Sequence, residues 1–241
     1  MQVTPTRLVL LVGAFLILTG NWAFYGKLTD IYPVSGGNAV FIFSITIFHY
    51  CFLLLLSVFL WLVIPARIVV SLFILIAAIV GYQADKLNIF IDFDMIRNIL
   101  QTNIEEVADL TNSGLLMRLV LLGIIPVALV WSLPFRKSGF LRELRYKLQI
   151  GAGAVVIMVL CVFTMSDQYA SFFREHKPVR KYMNPSFALY SAGVYIKHAV
   201  TTAKLQSYTR LAKRSERTPT DTHSELVVLV IGEAPGQIIS R

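Results

Sequence analysis

Five separated apolar stretches constrain this chain more than any other feature. They run roughly Leu8–Tyr25, Ala39–Ile64, Ile68–Tyr82, Leu119–Phe135 and Leu148–Met165. A helix needs about 20 mostly apolar residues to cross a bilayer, and each stretch is near that length. Hydrocarbon offers backbone N–H and C=O groups no partner, so a single spanning segment must pair its own as a helix. An all-α membrane protein with five transmembrane helices follows. The third stretch is short, and Val63 and Ile64 can extend it across the turn at Pro65–Ala66–Arg67. The fourth contains Pro126, which a membrane helix tolerates as a kink. The first has only Arg7 before it and no small-x-small site at Asn21–Trp22–Ala23, so we expect an uncleaved helix rather than a signal peptide. Composition agrees: 56% of the 241 residues are hydrophobic and only 15% are charged, too few to cover a soluble surface.

The net charge of +8 does not point to nucleic acid, because the basic residues cluster beside apolar segments. Topology and anionic headgroups account for it. Arg136, Lys137, Arg142, Arg145 and Lys147, opposed by Glu143 alone, mark a cytoplasmic loop between the fourth and fifth spans. The stretch from Ala84 to Leu116 carries Asp85, Asp92, Asp94, Glu105, Glu106 and Asp109, and is expected outside. Five crossings then put the N-terminus in the cytoplasm and the C-terminus outside. Cys51 and Cys161 sit within apolar runs and read as small packing residues.

Beyond the transmembrane domain (1–165), residues 166–217 read as a membrane-associated helical connector. Within it, Tyr195–Arg217 mixes Leu205, Tyr208 and Leu211 with Lys197, Lys204, Arg210 and Lys213, as a basic helix on a membrane surface or a solvated connecting helix would. Residues 218–225 form a polar linker. Leu226–Ile231 is a continuous apolar run ending in Gly232–Glu233, the pattern of a buried parallel strand opening an α/β domain.

Few residues carry chemistry. Asn98, Thr102 and Glu106 recur at i, i+4, i+8, so a helix aligns an amide, a hydroxyl and a carboxylate on one face. Such a row suits an ammonium group and phosphate oxygens. Spacing alone favours a plain solvated face. His49 lies about 15 Å along the second span by helical rise, and is either a functional group or a hydrogen-bonded packing histidine. His176, just past the fifth span, is a ligand contact or an interfacial residue. Glu233 is a metal ligand or an acid favoured near a helix N-terminus.

Three runs carry a family resemblance: Asp94-Met-Ile-x-Asn98-x-x-x-Thr102; Ser171-Phe-Phe-Arg-Glu-His-Lys177 with Asn184–Pro185; and Val227-Val-Leu-Val-Ile-Gly-Glu233. Their order and the five-helix layout resemble the bacterial lipid A phosphoethanolamine transferases, which include the colistin-resistance enzymes. The resemblance covers Met1 to Ala234. It implies an inner-membrane protein whose outer face takes phosphoethanolamine from phosphatidylethanolamine onto a threonine and passes it to a lipid A phosphate, with zinc assisting. It implies that Asn98, Thr102 and Glu106 line the donor cavity, against the solvated-face reading, and that Glu233 is a zinc ligand. The acceptor stays open among lipid A, core heptose, glucan and a phosphoglycerol product, and a non-catalytic lipid-binding membrane protein is the alternative from another class.

The same resemblance implies that the threonine and the other zinc ligands belong to an alkaline-phosphatase-like domain opening at Leu226. We expect this chain by itself to be inactive and to hold no tight zinc. Deleting one nucleotide from a plausible coding of the family's continuation after Ala234 reproduces Pro235–Arg241 and a stop, so a frameshift is expected.

Overall fold

A computed structural model describes residues 3–101, 112–134 and 139–205. The chain divides into a compact unit, Met1–Ala203, and a second unit, Lys204–Arg241; the description concerns the first. The polar linker, the strand-like run and Glu233 lie outside the described residues. So do Thr102, Glu106 and the tail from Pro235.

Every regular element among the described residues is helical. Helix α1 (Pro5–Thr19) opens on Pro5, whose missing N–H costs nothing in the first turn, and Thr4 Oγ accepts from the Arg7 N–H at 3.4 Å. The first apolar stretch does not continue straight, because the chain breaks at Gly20–Asn21 and α2 (Trp22–Ile31) leaves at 58°. Helix α3 (Gly36–Trp61) is the second span and α4 (Ala66–Leu87) the third. Asn88 ends α4 in the left-handed conformation (φ 54°), which its short amide tolerates, and its N–H caps the Gln83 carbonyl. Helix α5 (Phe93–Gln101) follows. Helix α6 (Ser113–Ser132) is the fourth span. Its expected proline kink takes the form of a π-turn at Val120–Ile124, immediately before Pro126. Widening the helix by one residue there accommodates the missing proline N–H. Helix α7 (Phe140–Thr164) is the fifth span, and α8 (Ser166–Glu175), the single turn α9 (Lys177–Arg180) and α10 (Ser186–Leu205) complete the unit.

Two charge placements differ from the sequence reading. Arg142, Arg145 and Lys147 lie within the first turns of α7 rather than in a loop. Lys147 pairs with Glu143 at 3.2 Å, one helical turn back, and donates to the Trp61 carbonyl at 2.8 Å. Asp85 likewise belongs to α4, where Arg118 of α6 reaches it. The amphipathic helix expected from Tyr195 begins earlier, at Ser186.

Helices α1, α3 and α4 form one core around Leu16, Leu53, Phe73 and Ile74. A second core joins α2 and α3 to α8 and α9 through Phe24, Phe41, Tyr169 and Phe172. Spans α6 and α7 turn apolar side chains outward, Phe163 being 82% exposed. That surface is a liability in water and ordinary in lipid. At one end of the bundle Val3 bonds to Pro134, Arg67 donates to the Leu133 carbonyl, and Lys147 reaches Trp61. The chain start, the turn after α3, the end of α6 and the start of α7 therefore share a side.

Candidate functional site

Helix α5 carries Asn98 on an exposed face and is fixed at its start. Asp92 Oδ1 accepts from the Met95 N–H at 3.1 Å, capping the helix, while its Oδ2 lies 3.7 Å from Lys181 Nζ. Lys181 also stands over the Phe90 ring at 4.2 Å, and the Tyr182 hydroxyl donates to the Asn88 carbonyl at 2.9 Å. Phe93 meets Tyr195 and His198 of α10 at ring distances of 5.8 and 5.3 Å. A nine-residue helix has little stability alone, so these contacts hold its position. Asp94, one turn before Asn98, and its neighbour Arg97 form an exposed pair at 3.3 Å. Both charge signs and an amide thus border the surface from which Thr102 and Glu106 follow in sequence.

Two polar clusters that sequence reasoning missed support this end. Asn21, at the α1–α2 bend, donates to the Asn184 carbonyl and accepts the Asn184 N–H through Oδ1, both at 2.9 Å. Asn184 in turn donates to the carbonyls of Gly20 and Ala77, both at 2.9 Å. The Asn184–Pro185 pair of the second motif therefore clamps a helix bend. Beside it, Asp85 Oδ2 pairs with Arg118 Nη1 at 2.6 Å, and Asp85 Oδ1 accepts the Ala23 N–H, the first free donor region of α2, at 2.7 Å. An asparagine inside an apolar run and an acid just past one were the available signals, since a buried polar group must find a partner.

The second motif divides by depth. Phe172 is fully buried against Phe41. On the surface Arg174 donates to Glu175 at 2.7 Å and Ser171 donates to it at 3.1 Å, holding its carboxyl below the usual range. His176 lies edge-on to Tyr32 at 5.8 Å, an aromatic packing role. Tyr169 shares a 2.9 Å hydrogen bond with Ser44, and burial pushes its phenol up to about 12. His49 is fully buried, bonded through Nε2 to Ser186 at 3.1 Å and set against Phe24, which fits the packing histidine. Cys51 and Cys161 are unbridged. Among the described residues no three His, Cys, Asp or Glu side chains converge on a point, so that part offers no zinc site, and Glu233 lies outside it.

Apolar helix bundle, bend and anchored α5 define a multi-pass, all-helical membrane domain among the described residues. The chain belongs to the family described as phosphoethanolamine transferase EptA/EptB, whose sequence model matches residues 47–200. It is 31% identical to the phosphatidylethanolamine transferase Mcr-1 of Escherichia coli over 239 residues, which cover 96% of this chain and 43% of Mcr-1. Mcr-2 is 32% identical, with 96% and 44% covered, and Salmonella typhimurium EptA is 25% identical, with 93% and 42% covered. The chain thus spans less than half the length of the curated relatives it matches. The fold is similar to that of the integral membrane lipooligosaccharide phosphoethanolamine transferase A from Neisseria meningitidis, with a TM-score of 0.76 at 23% identity, covering 81% of this chain and 37% of that one.

Proposed function

We propose that this chain is the part of a phosphoethanolamine transferase that receives phosphatidylethanolamine and presents its headgroup, at the outer face of the bacterial inner membrane, for transfer to a lipid A phosphate. The observation that carries this reading is the anchored α5. Asp92 and Phe93 fix it to Lys181 and α10, and it carries Asn98 exposed. Continued as a helix, α5 would align Thr102 and Glu106 with Asn98. Glu106 would hold the ammonium group while Asn98 and Thr102 donate to phosphate oxygens. Zinc, with Glu233 among its ligands, would supply Lewis-acid polarisation of the phosphoryl group when bound.

The basic start of α7 supports a cytoplasmic side shared with the N-terminus, and hence α5 on the periplasmic side. The relative Mcr-1, a phosphatidylethanolamine transferase, supports the donor.

A chimera tests the reading. This chain replaces the matched segment of Mcr-1, and transfer from fluorescent phosphatidylethanolamine to lipid A is followed. The chimera should transfer, and Asn98→Ala and Glu106→Ala should each lower turnover about tenfold or more. A chimera that transfers normally with both residues replaced would contradict it.

A further inference from the structure

Helix α2 turns a polar face toward the end of α4, and between them lies a recess of about 310 Å³ that the reading above does not use. Trp22, Gly26, Lys27 and Asp30 recur at i, i+4, i+5 and i+8, so they share one face of α2, away from the buried Phe24 and Leu28. Asp85 and Asn88 of α4 complete the lining. Gly26 leaves room for a ligand, because a Cβ added there would meet nothing within 4 Å. The volume falls at the lower end of the range of about 300–1,000 Å³ usual for small-molecule sites.

What the recess can bind is set by which of its groups already have partners. Both oxygens of Asp85 are engaged, one by Arg118 and the other by the Ala23 N–H. Lys27 is half-buried, with its ammonium 4.9 Å from the centre of the Tyr182 ring. Among the described residues no carboxylate lies within ion-pairing distance of it. Asp30, one turn further on, is exposed and has no ion pair among those residues either. The Asn88 backbone caps α4 and accepts from Tyr182, which leaves its exposed side-chain amide for other partners. Trp22 is 69% exposed beside them.

The recess thus presents an ammonium, a carboxylate, an amide and an exposed indole. An ammonium suits phosphate oxygens, while a carboxylate and an amide suit hydroxyl groups. The C–H face of a sugar ring is apolar and stacks on an indole, whose face carries negative charge. One free carboxylate beside a cation does not serve a metal ion, which needs several oxygen ligands. A linear headgroup would leave the indole idle.

We propose that this recess takes a phosphorylated sugar, with the phosphate on Lys27, ring hydroxyls on Asp30 and Asn88, and the ring against Trp22. The Tyr182 ring beside Lys27 meets Phe90 edge-on at 5.7 Å, and α5 opens three residues later at Phe93. A sugar in the recess would therefore lie beside the start of the helix that carries Asn98. Its role as a seat for the acceptor rests on the function proposed above; its binding chemistry does not involve Asn98.

Ligand-observed NMR on the purified chain in lauryldimethylamine oxide, a detergent without a sugar headgroup, tests this with glucose 1-phosphate, glycerol 1-phosphate and glucose. Glucose 1-phosphate should bind about tenfold more tightly than the other two, each of which lacks one half of the ligand. Lys27→Gln should weaken glucose 1-phosphate about tenfold and leave glucose unchanged. Trp22→Ala should remove the advantage of glucose 1-phosphate over glycerol 1-phosphate. Both variants should keep the helix content of the wild type by circular dichroism, since neither side chain is buried. No phosphoryl group moves in this titration, so its failure would leave the donor surface at Asn98 standing, and an inactive chimera would leave this binding standing. Equal affinity for the three probes overturns the proposal, as does a preference for glucose 1-phosphate that survives both substitutions.

Discussion

The Asn21 side chain satisfies both backbone groups of Asn184, 163 positions away, donating to its carbonyl and accepting its N–H. The pair closes the break between α1 and α2 onto the segment that leads into α10. Lipid offers no alternative partner for a bent backbone, so such a break is tolerated where protein groups satisfy it.

Removing either amide should therefore cost more than its size implies. Asn184→Ala removes the side-chain donor to the Gly20 carbonyl and the second donor to the Ala77 carbonyl, which sits within α4. Buried groups left unpaired cost about 1–3 kcal/mol each, so thermal unfolding in detergent should show a loss of about 2 kcal/mol or more. Because the two residues share one network, Asn21→Ala combined with Asn184→Ala should cost clearly less than the sum of the singles. Additive losses would mean that the two act independently.

The pair Asp85–Arg118 makes a second prediction. Their side chains are 13% and 14% exposed, and the carboxylate also holds the Ala23 N–H. Asp85→Ala strands a largely buried guanidinium and should destabilise the chain by about 3 kcal/mol. Replacing both groups with apolar residues, Asp85→Leu with Arg118→Met, should recover much of that loss, since no uncompensated charge remains. A double variant less stable than Asp85→Ala would show that the pair contributes net stability of its own.

Gly81 of α4 is where these two clusters touch. A Cβ added there would lie 2.5 Å from Arg118 Nη2 and 3.0 Å from Asn184 Nδ2. The Asn184 amide is tethered to two carbonyls, and the Arg118 guanidinium is held through its Nη1 by Asp85, so neither group yields freely. Gly81→Ala should cost about 1–3 kcal/mol in detergent unfolding, as overpacking does, despite the better helix propensity of alanine. The cost should shrink in an Arg118→Met background. Unfolding at the wild-type midpoint would mean that the contact relaxes without penalty.

Much of this architecture is legible in the residues. Apolar length and the bilayer constraint locate α3, α4, α6 and α7, and Pro126 announces the irregularity that appears as a π-turn beside it. The bend at Gly20–Asn21 is not legible, because apolar content is continuous through it and the partner that permits it is Asn184, far along the chain. Asp85 reads as one acid of an outer loop until Arg118 is seen beside it. Polar residues at the edges of spans take their roles from partners on other helices, which one sequence does not pair. Asn98 shows the converse: its spacing suggested a face, and Asp92 and Phe93 supply the anchors that spacing does not contain.

Headgroup selectivity at Asn98 tests the central claim most directly. Short-chain phosphatidylethanolamine and phosphatidylglycerol are titrated into the purified chain in detergent, with wild type compared against Asn98→Ala and Glu106→Ala. An amide for phosphate oxygens and a carboxylate for an ammonium group predict tighter binding of phosphatidylethanolamine. That preference should fall about tenfold when Glu106 is replaced, and affinity should fall when Asn98 is replaced. Equal affinity for the two lipids in the wild-type chain, or a preference that survives both substitutions, would contradict the account.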